Sequence, residues 1–491
     1  MSEWFTASAT HLAHLIRTQQ ASSREIVDAH IAYARKVNPY LNAIVQERFE
    51  QAQEEADQAD KVLKESSPEE LPPFHGVPCT IKECFALEGM PQTGGLYSRK
   101  GFTASDNATA VQRWKNAGVI PLGVTNLSEL CMWMESSNKV YGRTNNPYDP
   151  GRIVGGSSGG EGSIVGSGAS PFGLGSDIGG SIRMPAFFNG VFGHKPTGTL
   201  VPGSGQFPAA ETGPALRYLT TGPLCRKAED LWPLLQILAG PDGIDEECQE
   251  WQLGDPASVK LSDLRVLNVP NNGWTRVHPD LVKAQQDVAD FLRSSGASVE
   301  TISIPAFKRS LDIWGSMLEV AQGPHAFRHE LGYHSAWPVF GELLKWCMGS
   351  SKHTLPALVL ALVDNLSALM PQRTARMIAL GHELRQSLHE MLGNDGILLY
   401  PSYASPAPLH YKPLLPPFQW VYTAILNVME IPVTQVPLGL NKHSQPLGVQ
   451  VGASPGNDHI TVAVALALEE EFGGWVPPWQ SNHPRFVAPH P

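Results

Sequence analysis

The chain has 491 residues, of which 42% are hydrophobic and 17% charged, so it carries enough apolar material for a large core and falls outside the disordered classes. It has 47 acidic residues against 36 Lys and Arg, a formal net charge of −11. That balance argues against a nucleic-acid partner, which calls for a basic surface, and suits a self-repelling cytoplasmic protein.

Six cysteines, at 79, 84, 131, 225, 248 and 347, make neither a disulfide framework nor a Cys-x-x-Cys pair, so no metal is expected. The opening Met-Ser-Glu-Trp-Phe-Thr-Ala-Ser has an early acid and no long apolar core, and reads as neither signal peptide nor anchor. Residues 8–65 read as helices. Ser22-Ser23-Arg24-Glu25 offers a capping box for a helix over Glu25–Lys36. Pro39 is expected to break it, and Asn42–Lys64, rich in Ala, Glu and Gln, to form the next. Ser66–Pro73 is a polar loop leading into the core.

Val77–Ile81 reads as a short buried strand, Ala108–Ala117 as a helix and Val119–Val124 as the strand after it. Alternation of this kind predicts an α/β layer fold. Residues 151–205 hold 17 of the 46 glycines, interleaved with Ser and with apolar residues that want burial. Glycine lets backbone pass close to backbone or ligand, so the chemistry is sought there. Residues 225–300 return to helix and strand texture, and 300–420 are helical and Pro-containing without a motif. Within them, Leu355–Val363 is the most apolar run; it stops at Asp364, well short of the roughly 20 residues of a membrane span. It reads as a buried or amphipathic helix, with a membrane-touching or substrate-entry helix as the alternative. Ile431–Val436 and Leu447–Val451 read as late strands and Ile460–Phe472 as a closing helix. With no repeat and no linker, 1–491 is taken as one domain: N-terminal helices to 70, a core over 71–240, and an insert-like region over 300–420.

Three segments could carry chemistry. In Gly76-Val77-Pro78-Cys79-Thr80-Ile81-Lys82-Glu83, strand alternation puts Thr80 and Lys82 on one face and sends Glu83 to the other. Gly155-Gly156-Ser157-Ser158-Gly159-Gly160-Glu161-Gly162 lacks the Gly-Lys-Ser/Thr ending of a phosphate loop. It satisfies G-x-S-x-G with Ser158 at the centre, but too little strand precedes it for a nucleophile elbow. In Gly175-Ser176-Asp177-Ile178-Gly179-Gly180-Ser181-Ile182-Arg183-Met184-Pro185-Ala186, a helix opening at Ser181 with Pro in its first turn would let the N–H groups of 178–181 converge, as an oxyanion hole requires.

Together, the Gly155–Ala186 pattern, its two serines 24 positions apart at 157 and 181, and the Gly-Val-Pro…Lys82-Glu83 box resemble the amidase signature family. Thr125-Asn126-Leu127-Ser128-Glu129-Leu130 through Ser137-Asn138, and Gly193-His194-Lys195-Pro196-Thr197, bring the chain nearest the fatty acid amide hydrolase group. The likeness covers about 70–240 and 425–455. It implies a three-layer α/β/α fold with a large, mixed, twisted central sheet. It also implies a hydrolase that cleaves a carboxamide C–N bond through a Ser–cis-Ser–Lys triad and an acyl-enzyme, with no metal or organic cofactor.

Carried over, Ser181 is the nucleophile, Ser157 the bridging serine behind a cis Gly156–Ser157 peptide, and Lys82 the base. Ile178, Gly179, Gly180 and Ser181 supply the oxyanion hole, and Asp177 and Arg183 support the loop. Cys131 and Met132, with their neighbours to Met134, fall where the acyl pocket lies, alongside Ser157. Residues 300–420 shape the substrate channel. The implied substrate is a small-molecule amide of a hydrophobic acyl or aryl group, and a homodimer is expected from the family.

The residue types suit the task. Serine is a weak nucleophile that needs a base, and a lysine serves as a resting base only when desolvated or set among like charges. A relay through Ser157 requires separations of about 2.6–3.2 Å at both steps. The same triad could attack an aryl carbamate or an ester. Further alternatives are the glutamine-hydrolysing subunit of a tRNA-dependent amidotransferase, and a glycine-loop binding module without catalysis.

Overall fold

The computed structural model of the chain describes residues 2–210, 213–323, 326–364, 370–415 and 418–481. Its strands are β1 (Ile44–Glu47), β2 (Pro78–Lys82), β3 (Ile120–Thr125), β4 (Ser137–Asn138), β5 (Gly142–Arg143), β6 (Phe172–Asp177), β7 (Phe192–Lys195), β8 (Thr220–Cys225), β9 (Arg265–Asn268), β10 (Ser298–Thr301), β11 (Gly396–Tyr400), β12 (Val433–Leu440) and β13 (Pro446–Ala453). All but the β4–β5 hairpin join one 11-stranded sheet in the order β1-β3-β2-β6-β8-β7-β12-β13-β11-β9-β10. The sheet is mixed. β3, β2 and β6 run parallel at one end and β11, β9 and β10 at the other, and the strands from β6 to β11 pair antiparallel between them.

Alternate residues of β11 enter different cores, because a pleated strand points successive side chains to opposite faces. Ile397 and Leu399 pack with Val288 and Leu292 of helix Pro279–Ser294 and with Val464 and Leu468 of helix Asp458–Phe472. Leu398 and Tyr400 pack with Ile313 and Met317 of helix Ser310–Gln322, and with Leu384 and Leu388 of helix Pro371–Leu392. Helices therefore cover both faces, and a strand buried on both sides has the continuously apolar sequence seen in Gly-Ile-Leu-Leu-Tyr. This is the layered α/β fold expected.

Most of the expected elements form. β2, β3, β12, β13, helix Thr109–Asn116 and the closing helix Asp458–Phe472 lie within a few residues of their expected bounds. The capping box forms between Ser22 and Glu25. Three expectations need correction. Residues 300–420, read as helical, contribute the strand β11 to the sheet between β13 and β9. Helix Ser23–Leu41 runs through Pro39 instead of breaking there. Pro39 falls in the last turn, where only one intrahelical bond is lost, and Asn42 ends the helix in a left-handed conformation with its N–H on Asn38 O. The next helix starts at Phe49, because Ile44–Glu47 is drawn into the sheet as an antiparallel partner of β3. Leu355–Val363 is an amphipathic helix. Ala357, Leu358 and Ala361 pack against Val339 and Leu130, while Val359 and Val363 are exposed. No helix among the described residues is long and apolar enough to cross a membrane.

Candidate active site

β2 ends by delivering Lys82 into the interior. Its side chain is fully buried, and Nζ donates to Ser157 Oγ at 2.7 Å and to Ser176 Oγ at 2.9 Å. Alternation holds: Thr80, on the same face, donates to Glu161 at 2.6 Å, and Glu83 turns away. The Glu83 carboxylate accepts from Thr93 N at 2.6 Å, Gly94 N at 2.9 Å and Tyr141 Oη at 2.7 Å, so it ties down the 93–95 loop and does not pair with Lys82.

Ser157 enters through a cis Gly156–Ser157 peptide. Position 156 must be glycine, because a Cβ there would collide with the carbonyl oxygen of Trp133. Ser158, next in line, is fully buried; its N–H donates to Ser181 O at 3.1 Å and its hydroxyl to Ser176 O at 3.3 Å. Helix Gly159–Gly166 follows, and on it Glu161 accepts from Thr80 and, at 2.7 Å, from Thr125. Burial drives the Glu161 pKa up to about 8, against those two hydrogen bonds and the nearby Lys82.

β6 supplies the third side of the site. At its last residue, Asp177 is enclosed by donors: Gly180 N at 2.7 Å, Ile182 N at 3.0 Å, Arg183 Nε and Nη2 both at 3.0 Å, and Asn427 Nδ2 at 2.9 Å. Burial opposes ionisation, but the Arg183 guanidinium and these hydrogen bonds overcome it and hold the carboxyl well below the usual carboxylate range. Arg183 is itself fixed by Asn427 Oδ1 at 2.6 Å and Gln450 Oε1 at 2.8 Å. Asp177 and Arg183 are thus the supports of the 178–181 loop.

Two loop carbonyls are also held. Trp314 Nε1 donates to Ile178 O at 3.0 Å and Thr423 Oγ1 to Gly179 O at 2.9 Å. Gly180 has φ +116°, and a Cβ there would collide with Thr423. Among the described residues the N–H groups of Ile178, Gly179 and Ser181 meet no acceptor, whereas that of Gly180 is engaged by Asp177. Helix Arg183–Phe188 opens two residues after Ser181 and not at it, as the sequence suggested, because Asp177 holds the N–H groups of Gly180 and Ile182; Pro185 sits in its first turn.

Ser181 is 7% exposed and borders a cavity of about 110 Å³ with Met132, Met134, Met184, Trp314 and Trp420. Cys131, Met132 and Ile178 are shared with a second cavity of about 380 Å³. The structure therefore brings Lys82, Ser157, Ser181, the 178–181 loop, Cys131 and Met132 together. Of the two contacts that the expected relay requires, only Lys82–Ser157 is a hydrogen bond; among the described residues none joins Ser157 Oγ to Ser181 Oγ. Sequence reasoning missed Ser176 and Glu161, whose signals were the inward face of β6 and the i+4 position from Ser157. It also missed Trp314, Thr423 and Asn427, which come from distant segments. No cluster of three His, Cys, Asp or Glu suited to a metal ion occurs among the described residues.

Comparison with known proteins agrees with this architecture. The Amidase family model matches residues 25–462. The chain is 46% identical to fatty-acid amide hydrolase 2 of Homo sapiens over 487 residues, 96% of this chain and 90% of that one. It is also 46% identical to fatty-acid amide hydrolase 2-A of Danio rerio, over 97% of this chain and 90% of the relative. The solved structure of 6-aminohexanoate cyclic dimer hydrolase complexed with substrate superposes with a TM-score of 0.79 at 24% identity, covering 98% of this chain and 99% of that one. A family match over most of the length, on a sheet that carries the glycine–serine loops against a buried lysine, makes this chain a hydrolase of the amidase signature family.

Proposed function

We propose that the chain hydrolyses amides of an apolar acyl or aryl group, with Ser181 as nucleophile, Ser157 as proton relay and Lys82 as base. The observation that carries this reading is the buried Lys82–Ser157 hydrogen bond of 2.7 Å beside a serine that opens into an apolar cavity. Lys82 takes a proton from Ser157, which takes one from Ser181 as that hydroxyl attacks the carbonyl. The contact between the two serines closes as substrate orders the site, since catalytic hydrogen bonds commonly tighten only in the complex.

The developing oxyanion meets the free N–H groups of Ile178, Gly179 and Ser181. Gly180, whose N–H is held by Asp177, contributes by fixing the loop. The proton returns through Ser157 to the leaving nitrogen, and water clears the acyl-enzyme by the same route. Met132, Met134, Met184, Trp314 and Trp420 would receive the apolar group, and the similarity to fatty-acid amide hydrolases supports a long acyl chain.

Purified chain is assayed in parallel on a long-chain primary amide, an aryl anilide, an aryl carbamate and glutamine. Turnover of the long-chain amide or the anilide, with a fluorophosphonate adduct on Ser181, is expected. Turnover of glutamine alone, or an adduct elsewhere, would overturn the reading.

A further inference from the structure

A backbone N–H that stabilises an oxyanion is one end of a peptide plane, so its direction is set by what holds the other end. In a trans peptide the C=O and the following N–H share a plane and point opposite ways. In the 178–181 loop, each N–H that meets no acceptor belongs to a plane whose carbonyl is held. Asp177 O, in plane with Ile178 N–H, accepts from Asn427 Nδ2 at 3.0 Å and from Thr220 Oγ1 at 3.2 Å. Gly180 O, in plane with Ser181 N–H, accepts from Met184 N at 2.8 Å. Ile178 O, in plane with Gly179 N–H, accepts from Trp314 Nε1 at 3.0 Å. The Gly179–Gly180 plane is engaged at both ends, its carbonyl by Thr423 Oγ1 at 2.9 Å and its N–H by Asp177 at 2.7 Å.

Trp314 differs from the other side chains that hold these carbonyls. Asn427 and Thr220 are sealed in the interior. Trp314, on helix Ser310–Gln322, is half-buried and lines the cavity beside Ser181. Its ring meets Trp420, another wall of that cavity, edge to face, with centroids 4.8 Å apart and an interplanar angle of 81°. A Cβ at Gly179 would lie 3.3 Å from Trp314 Cζ2, so the indole rests against the residue whose N–H it orients. A donor on the carbonyl also polarises the peptide and strengthens its N–H as a donor.

We propose that Trp314 serves the reaction with two separable parts: its indole N–H is the positioning group that aims the Gly179 N–H at the developing oxyanion, and its ring selects the apolar acyl group. The proposal rests on the amidase reading of Ser181. The two parts act at different stages. Charge gathers on the carbonyl oxygen only as the transition state forms, so the N–H contributes to kcat. The ring touches the acyl group in the ground state and the transition state alike, so it contributes to KM.

The test uses the full chain with three replacements. Trp314→Phe keeps a ring and loses the N–H. Trp314→Leu loses both. Trp314→β-(3-benzothienyl)alanine puts sulfur in place of the N–H within a ring of nearly the same outline, so the fold is kept and the hydrogen bond alone is removed. Steady-state kinetics are measured on the butanoyl and dodecanoyl para-nitroanilides, which share a leaving group. The rate of Ser181 labelling by a short-chain fluorophosphonate is measured beside them, because its phosphoryl oxygen takes the place of the oxyanion.

In the benzothienyl and Phe variants, kcat on both anilides and the labelling rate are expected to fall by about tenfold, the worth of one hydrogen bond, with KM little changed. In Trp314→Leu the same fall in kcat is expected together with a KM for the dodecanoyl anilide raised by about tenfold, and a much smaller rise for the butanoyl one. Unaltered kcat and labelling in the benzothienyl variant would overturn the positioning role. So would kcat and KM moving together there, the mark of a merely structural residue. Equal rises in KM on the two anilides in Trp314→Leu would overturn the selection of the acyl group. If the unaltered chain leaves both anilides intact while Ser181 is labelled, the amide reading fails and the labelling rates still decide the positioning role. An adduct on another serine of the unaltered chain would overturn both.

Discussion

Lys82 Nζ is shared between two hydroxyls, Ser157 at 2.7 Å and Ser176 at 2.9 Å, so the amine that would accept a proton from Ser157 is steered by a second serine from the neighbouring strand. Ser176→Ala removes that guide without touching the proposed relay. A hydrogen bond to a chargeable group contributes about 1.5–3 kcal/mol. With 1.36 kcal/mol corresponding to tenfold in rate, kcat is expected to fall about tenfold or more, with KM little changed. Steady-state kinetics on the long-chain amide checks this; wild-type kcat in the variant would show that Lys82 is placed by its strand alone.

The three serines near the loop separate by role. Ser181→Ala is expected to lose both turnover and phosphonate labelling. Lys82→Ala and Ser157→Ala should keep a trace, with rates reduced about 10²–10⁴-fold, the usual contribution of a positioned proton acceptor. Ser158→Ala should be mild, because that hydroxyl is engaged with Ser176 O and away from the cavity. Near-wild-type activity in Ser181→Ala would reassign the nucleophile.

Arg183 and Asp177 form a fully buried ion pair at 3.0 Å that fixes the 178–181 loop. Arg183→Met leaves the carboxylate without its cation while keeping most of the side-chain volume. Breaking a buried pair from one side costs about 3–5 kcal/mol, so a lower denaturant midpoint is expected together with weaker phosphonate labelling of Ser181. An unchanged midpoint would mean that Asn427 and the backbone donors suffice for Asp177.

The parts of the site legible in the sequence are those where chemistry constrains residue type. Gly156 and Gly180 are required because a Cβ would strike Trp133 or Thr423, and a lysine that closes an apolar strand is conspicuous in itself. Such constraints are local and leave a local mark. Ser176 left none, because its importance arises only when β6 pairs with β2. Trp314, Thr423 and Asn427 reach the loop from segments more than 100 residues away in the chain, where nothing nearby marks them as polar anchors. The same logic explains the fold. Helix Thr109–Asn116 and β3 follow from periodicity and burial, but β11 lies in a stretch read as helical, and β1 is four residues set between two helices. Only its pairing with β3 makes it a strand. Strand order across the sheet is likewise a property of long-range pairing.

Two buried carboxyls make stability depend on pH in an unusual direction. Burial lifts Glu161 from an ordinary 4.5 to about 8 and Glu83 to about 7, in each case against hydrogen bonds that favour the charge. In the unfolded chain both titrate near the ordinary value, so between about 4.5 and 8 the folded state holds protons that the unfolded state has released. Unfolding then releases protons, and stability falls as pH rises through this window; below it both states are protonated and the contribution is fully present. Glu161→Gln keeps a neutral side chain between Thr80 and Thr125 at every pH. The expected result is a Tm that declines less between pH 5 and pH 8 in Glu161→Gln than in the unaltered chain. Glu83→Gln should show the same trend with most of its change below pH 7. Parallel slopes in all three proteins would mean that these carboxylates are ionised in the folded state, with Thr80, Thr125, Thr93 and Tyr141 compensating their burial in full.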